Sequence, residues 1–189
     1  MTINKIKKAA LQNFIEKGYE GTSLFDIAEE VGIKKQSIYS HFKNKDELFL
    51  TVMNQVISEE MDFFHQFLEQ SNPELKNHLK NFIFEFKNRY IQSEASNMKF
   101  VLRMTYMPPI HLKEEVVRSF NDFFLEIERL VCELFFKDAD ISVKASKATL
   151  SFMTLLDGLL VALTYGSSER FDKKFEASWE IYWSGLLNS

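Results

Sequence analysis

The chain has 189 residues, of which 46% are hydrophobic and 26% are charged, and these fractions are close to globular averages. The composition excludes a disordered chain, and the length allows either one compact domain or a small domain that shares a helix with a larger one. The formal net charge of −4 argues, taken alone, against a nucleic-acid partner.

Residues that form tight turns are sparse. The chain has six glycines and three prolines, and no glycine lies between Ile33 and Asp157. Because antiparallel strands need tight turns between them, we predict an all-α fold of about nine helices.

The first two predicted helices each end at a glycine. The first covers residues 4–17 and stops at Gly18, since glycine readily adopts the backbone conformation that closes a helix. The second begins at Ser23, which has capping-box spacing with Asp26, and it ends at Gly32.

The next two predicted helices differ in length. A short third helix covers residues 35–41, where Ile38 and Phe42 are four residues apart and can face the same small core. Asn44 caps a fourth helix that continues to about Gln70. Its length indicates a helix that leaves one core and enters another.

The remaining helices are predicted from apolar periodicity, with Pro108 and Pro109 as a clear break between two of them. Their predicted ranges are 74–93, 95–106, 112–137, 142–166 and 168–187.

A basic segment covers residues 31–45, which contain four lysines, one histidine and no acid. The two short helices on either side of Gly32 have the dimensions of a helix-turn-helix, whose second helix enters the major groove of DNA. Lys35 and Gln36 suit base reading, since lysine binds guanine acceptors and glutamine pairs with adenine. The alternative is an ordinary three-helix core whose lysines are only solvated.

Three segments carry a family resemblance: GYEGTS at residues 18–23, IAEEVGI at residues 27–33 and SIYSHFKNKDEL at residues 37–48. In order and spacing they resemble the N-terminal signature of the tetracycline-repressor (TetR) family of transcription regulators. Val31 departs from it, because alanine is commoner there. Residues 34–36 follow no family consensus, as expected of positions that select the operator.

The resemblance implies a DNA-binding domain over residues 1–48 and a helical regulatory and dimerisation domain over residues 49–189. It also implies phosphate contacts from Thr22, Tyr39 and Lys45, and a structural or backbone-contacting role for His41. The predicted DNA-binding residues are Thr22, Ser23, Lys34, Lys35, Gln36, Ser37, Tyr39, Ser40, His41 and Lys45.

Fifteen of the nineteen phenylalanines follow residue 60. Such a set lines either a pocket for a small apolar or aromatic effector or a closed core, and both interpretations stay open. The polar candidates for the pocket, which are named below with the aromatic ones, could instead be exposed or hydrogen-bonded residues with an ordinary structural role. The candidate pocket residues are Phe86, Arg89, Phe100, Arg103, Tyr106, Phe124, Phe152 and Asp157.

The resemblance further implies that the last two helices pair with those of a second subunit. The penultimate helix carries the apolar run LLDGLLVAL at residues 155–163, and the last has a large aromatic face. Aromatic side chains are favoured at subunit interfaces and are equally ordinary in a core. The candidate interface residues are Leu156, Leu160, Leu163, Phe175, Trp179, Tyr182 and Trp183.

The sequence contains no catalytic or metal-binding pattern. His65, His78 and His111 are far apart, and no HExxH, GxSxG or phosphate-binding glycine loop occurs. We therefore predict no enzyme activity, no metal and no cofactor. The single cysteine, Cys132, and an N-terminus unlike a secretory signal indicate a cytoplasmic protein, and the polar residues within 148–166 argue against a membrane span.

The leading hypothesis is a homodimeric regulator that binds a palindromic double-stranded DNA operator, represses transcription and releases DNA when a small molecule binds. The main alternative is an all-helical carrier or sensor whose N-terminal unit no longer binds DNA. A helical enzyme with an apolar active site is a third hypothesis, but no catalytic constellation supports it.

Overall fold

The computed structural model describes residues 2–70, 74–92 and 96–187. These residues form nine α-helices and one 3-10 turn, with no strand among them, so the predicted all-α fold is confirmed. The helices are α1 (Thr2–Gly21), α2 (Leu24–Val31), α3 (Lys35–Tyr39), α4 (Lys45–Leu68), α5 (Leu75–Ile91), α6 (Asn97–Tyr106), α7 (Lys113–Lys137), α8 (Ala145–Tyr165) and α9 (Ser168–Leu187), and the 3-10 turn covers Ile110–Leu112.

Local capping signals explain where the first helices begin and end. Gly18 has φ 73° and ψ 176°, so the helix breaks at the predicted glycine and one further turn follows it. At the start of α2 the amide of Asp26 donates to Ser23 Oγ, and the amide of Ser23 donates to the Asp26 carboxylate. The predicted capping box is therefore present.

The start of α4 is capped in a similar way. The Glu47 amide donates to Asn44 Oδ1 at 2.8 Å, and the Lys43 amide donates to the Glu47 carboxylate at 2.5 Å. Both bonds satisfy backbone donors at the helix entrance, as the prediction of Asn44 as a cap requires.

Several helices are shorter than predicted. The third helix ends at Tyr39 rather than at His41. The eighth begins at Ala145, because Ser142 instead bonds the carbonyl of Leu186 through its amide and its hydroxyl. The predicted boundaries at Ser93 and Ala95 lie outside the described residues.

The chain divides into two compact units. The first unit comprises Met1–Met61 and Tyr90–Phe120, and its core includes stacked and edge-to-face rings of Phe14, Tyr19 and Phe49. The helix-turn-helix segment belongs to this unit.

The second unit comprises Asp62–Arg89 and Asn121–Ser189. Its core is a cluster of buried phenylalanines in contact with one another, and the packing of these rings fills the interior. The cluster consists of Phe64, Phe82, Phe86, Phe123 and Phe152.

Helix α8 is long and apolar enough to cross a membrane by length and composition alone. Half of its apolar window is buried inside the protein, which is also the property of a core helix.

Candidate DNA-binding surface

The turn between α2 and α3 is closed by Gly32. Its φ of 74° and ψ of 35° are left-handed, and its amide bonds the carbonyls of Ala28 and Glu29. A side chain at this position would meet no neighbouring atom within 4 Å. Glycine is therefore favoured by the backbone conformation and not by lack of space.

Two buried side chains hold α3 against α2. Ile38 is fully buried and Phe42 is nearly so, as are Ile27 and Ala28 on α2. The amides of His41 and Phe42 both donate to the Ile38 carbonyl at 2.9 Å and close the helix. With this apolar side turned inward, the opposite side of α3 faces solvent.

The solvent-facing side of α3 carries most of the predicted DNA-binding residues. Ser37 is half-buried, and its carbonyl accepts a hydrogen bond from Ser40 Oγ at 2.7 Å. The exposed members are Lys34, Lys35, Gln36, Tyr39, Ser40 and His41. Amide, hydroxyl and ammonium groups of this kind bond base edges and phosphates.

The cations at this surface are not neutralised locally. Lys34, Lys35 and Lys43 form no ion pair with any carboxylate in the described parts of the chain. Lys35 Nζ lies 5.8 Å from the centre of the Tyr39 ring, which leaves its N–H donors available. Uncompensated positive charge on an otherwise acidic chain favours a polyanionic partner.

Thr22 and Lys45 make internal contacts where the resemblance implies phosphate contacts. Thr22 is 2% exposed, and its hydroxyl donates to the Gly18 carbonyl at 2.7 Å. Lys45 Nζ donates to the carbonyls of Tyr19 and Thr22 at 2.8 and 2.9 Å. These carbonyls lie at the negative end of α1, so the lysine at the start of α4 stabilises the end of another helix.

A network that sequence reasoning missed joins α1 to α4 and to the 3-10 turn. The Tyr19 hydroxyl donates to Asp46 Oδ1 in a short hydrogen bond, and His111 Nε2 lies 3.3 Å from the same oxygen. The bond from Tyr19 is the main reason that the pKa of Asp46 lies below its ordinary value, and desolvation raises the pKa of Tyr19. These residues fix α4 relative to α1. Helix α1 in turn packs against α2, the first helix of the recognition segment, residues 24–42.

A second missed contact joins α1 to α2. Asn13 is buried, and its amide group donates to the Ala9 carbonyl at 2.9 Å and to the Glu30 carboxylate at 2.6 Å. Lys17 Nζ donates to Asn13 Oδ1 at 2.8 Å. Asn13 and Glu30 are 17 residues apart in the sequence, and no local sequence pattern predicts a contact at that separation.

The eight candidate pocket residues do not form one site. Arg103 and Tyr106 line a cavity of the first unit, and Phe100 lies in that unit's core. Phe86 and Phe152 both contact Phe82 in the closed core of the second unit. Of the other second-unit candidates, Arg89 lies over the Phe63 ring, Phe124 packs against Phe123, and Asp157 is exposed on α8.

The candidate interface residues lie mostly inside the second unit. Tyr182 is half-buried, and its hydroxyl donates to the Ala148 carbonyl at 3.0 Å. Side chains packed within their own unit are poorly placed to contact a second subunit. The buried members are Leu156, Leu160, Leu163, Phe175, Trp179 and Trp183.

A different set of apolar side chains is exposed on α8 and α9. On α8 the exposed residues Leu150, Val161 and Tyr165 are spaced 11 and 4 apart and so share one helical face. On α9 the side chain of Ile181 is 76% exposed. Helix α8 therefore has an apolar outer face as well as an apolar inner one, and α9 adds the exposed side chain of Ile181.

Among the described residues, no group of three or more His, Cys, Asp or Glu side chains is arranged to hold a metal ion.

Comparison with known proteins places the N-terminal segment in a family. Residues 6–52 match the family described as bacterial regulatory proteins, tetR family. The chain is 36% identical over 95 residues to the biofilm operon icaADBC HTH-type negative transcriptional regulator IcaR of Staphylococcus epidermidis. The matched part is 47% of this chain and 49% of that regulator, so the chain matches about half the length of this relative.

Solved structures match the fold over nearly the whole chain. A TetR-family transcriptional regulator from Agrobacterium tumefaciens has a TM-score of 0.77 at 20% identity, covering 95% of this chain and 96% of that one. The transcriptional regulator FadR of Bacillus subtilis, in complex with stearoyl-CoA, has a TM-score of 0.72 at 14% identity, covering 97% and 98%. At these identities the likeness concerns the fold.

Proposed function

We propose that this chain, which belongs to the TetR family of bacterial regulatory proteins, is a ligand-responsive repressor that binds a palindromic DNA operator as a homodimer. Its place of action is then the cytoplasm, where its target DNA lies, and it acts without a membrane and without catalysing a reaction. Thr22, Ser23 and Lys45 set the geometry of the recognition segment, while the exposed residues of α3 read the operator.

The observation that carries this proposal is the solvent-facing side of α3. Lys34, Lys35 and Gln36 are exposed on it, and the two lysines have no carboxylate partner among the described residues. Buried Ile38 and Phe42 hold the helix with this side outward. A rigid helix with free amide and ammonium donors fits a major groove.

The test is binding of the full chain to DNA upstream of its own and neighbouring genes, against a scrambled duplex, at several salt concentrations. Lys35→Ala and Gln36→Ala should each weaken specific binding by about 5- to 150-fold, the range for one lost base contact. Lys137→Ala removes an exposed lysine from α7, away from both α3 and α8, and is the matched control. Equal affinity for specific and scrambled duplexes would instead favour the carrier hypothesis.

The exposed apolar face of α8, together with the exposed Ile181 of α9, supports the homodimer. A second copy that covers Leu150, Val161, Tyr165 and Ile181 would remove that apolar surface from water. A dimer also matches a palindromic operator, whose half-sites lie about 34 Å or a multiple of that apart.

Sedimentation equilibrium tests the dimer. Ile181→Asp places a charge in the proposed interface and should give a monomer that has lost high-affinity operator binding. Phe136→Asp changes an equally exposed apolar residue on α7 and should remain dimeric. A dimeric Ile181→Asp variant would refute this interface.

The proposal of repression and of a ligand response is supported by the similar proteins. The matched IcaR proteins are named as negative regulators, and the FadR structure contains stearoyl-CoA. For a ligand to release DNA it must bind the DNA-incompetent conformation more tightly than the competent one.

A further inference from the structure

The first unit contains a cavity of about 610 Å³ between the break in α1, the end of α6 and the segment that leads to α7. This volume is within the usual range for small-molecule sites, about 300 to 1,000 Å³. No part of the recognition segment, residues 24–42, lines the cavity, so a ligand could occupy it without touching the DNA-binding surface.

The lining of the cavity is apolar and positively charged. Met107, Ile110 and Val117 contribute apolar surface, and Met107 and Ile110 are largely exposed. Lys17, Arg103 and Lys113 contribute three cations against a single acid, Glu20. Such a combination suits a molecule with an apolar body and an anionic group.

Arg103 is the cation best placed to bind the anionic group. It forms no ion pair with any carboxylate in the described residues, and a β-carbon at Gly18 would lie 3.0 Å from its Nη2 atom. The glycine, with φ 73°, lets the guanidinium approach the backbone of α1. Lys17 already donates to Asn13, so it is less available.

One wall of the cavity belongs to the network that positions α4. Tyr19 lines the cavity, and its hydroxyl donates to Asp46 while its carbonyl accepts from Lys45. His111, beside the lining residue Ile110, contacts both Tyr19 and Asp46. A ligand that displaces Tyr19 would therefore disturb the start of α4 and the carbonyl of Thr22 at the entrance to α2.

We propose that this cavity is a regulatory site for a small apolar carboxylate, which binds Arg103 through its anionic group and weakens DNA binding by displacing Tyr19. The inference rests on the proposed DNA-binding function for its consequence, but ligand binding itself is measured without DNA.

The binding test is calorimetric titration of the full chain with decanoate, and with 1-decanol as a neutral molecule of the same chain length. Decanoate should bind saturably, and decanol should bind about tenfold more weakly or worse, because it lacks the charge-assisted bond. Arg103→Gln should weaken decanoate binding by a similar factor of about ten. Lys113→Gln, at the exposed rim of the cavity, should also weaken decanoate binding, but by a smaller factor.

Arg118→Gln is the matched control, since Arg118 is an exposed arginine of α7 that does not line the cavity. It should bind decanoate like the parent chain. Equal decanoate affinity in the parent, Arg103→Gln and Lys113→Gln chains would overturn the site, as would the absence of saturable binding to the parent chain.

The regulatory test is operator affinity with and without saturating decanoate, each variant being compared with its own ligand-free value. The parent chain should lose affinity by about 5- to 150-fold, the usual span of allosteric coupling. Decanoate that binds at Arg103 yet leaves operator affinity unchanged would refute the regulatory role. Failure of the ligand-free chain to bind any operator would instead refute the proposed function and leave the calorimetric result standing.

Discussion

Both units of the chain combine aromatic packing with hydrogen bonds between distant residues, but the second unit has the larger cluster of buried rings, and the hydrogen bonds of the first unit hold the helices next to the helix-turn-helix segment. In the first unit, hydrogen bonds between distant residues set the helix positions, as in the pairs Tyr19 with Asp46 and Asn13 with Glu30. In the second unit, the rings of Phe64 and Phe86 stack at 4.4 Å within a buried aromatic cluster. Directional bonds suit a unit that must present side chains in one geometry, whereas aromatic packing mainly supplies stability.

The largest effect is expected from the aromatic cluster. Phe86→Ala should lower the free energy of unfolding by about 3 to 5 kcal/mol, since it leaves a cavity in a closely packed core. Urea denaturation measures the change. Phe136→Ala removes an 83% exposed ring and should change stability by no more than about 0.5 kcal/mol. Similar losses for both variants would show that the buried cluster contributes no more to stability than an exposed ring does.

A smaller effect is expected from the polar network of the first unit. Tyr19→Phe removes only the hydroxyl that bonds Asp46, whose side chain is partly exposed, and should cost about 1 kcal/mol. Tyr39→Phe is the control for stability, because its ring is half exposed and its hydroxyl has no partner in the described structure. If the two variants unfold alike, the bond contributes nothing.

The same variant has a pH signature. The hydrogen bond from Tyr19 lowers the pKa of Asp46 below its ordinary value, so the stabilisation is present above that ordinary value and is lost on acidification through the lowered one. The difference in unfolding free energy between parent and Tyr19→Phe should therefore shrink below about pH 4. A difference that is constant down to pH 2 contradicts this assignment.

The smallest effect concerns the one histidine buried in the second unit. His78 stacks on Phe67, and burial lowers the pKa of its ring, while a hydrogen bond to the backbone of Leu68 acts in the opposite sense. The unfolded chain then binds a proton that the folded chain does not. Stability should therefore fall as the pH drops below about 6.5, the ordinary pKa of histidine.

His78→Gln should remove this part of the pH dependence, whereas His41→Gln, which alters an exposed histidine, should retain it. The measurement is urea denaturation between pH 7.5 and pH 5. Identical slopes for all three chains would show that His78 titrates alike in the folded and unfolded states.

Features set by neighbouring residues could be predicted from the sequence. Gly18 and Gly32 have the left-handed φ values expected of helix-ending glycines, and Ser23 with Asp26 forms the expected capping box. The two short helices α2 and α3 and the outward side of α3 follow from these signals together with Ile38 and Phe42. The DNA-contacting roles of the α3 residues stay predictions.

Contacts between distant residues could not be predicted. Nothing local connects Tyr19 with Asp46, 27 residues later, and His111 is 65 residues beyond Asp46. The burial of most candidate interface residues could not be predicted for another reason, which is that α8 is apolar on both sides. Leu156 is buried and Leu150 is exposed, and helical periodicity cannot tell which apolar side faces the helix's own unit.

The aromatic side of α9 gives the protein a built-in spectroscopic probe. Both tryptophans of the chain, Trp179 and Trp183, lie one helical turn apart in the second unit, with ring centres 5.7 Å apart. Tryptophan emission consequently reports the state of the second unit, whereas circular dichroism reports the helices of both. Coincidence of the two unfolding curves would show one cooperative molecule, and separation would resolve the stability of each unit without labels.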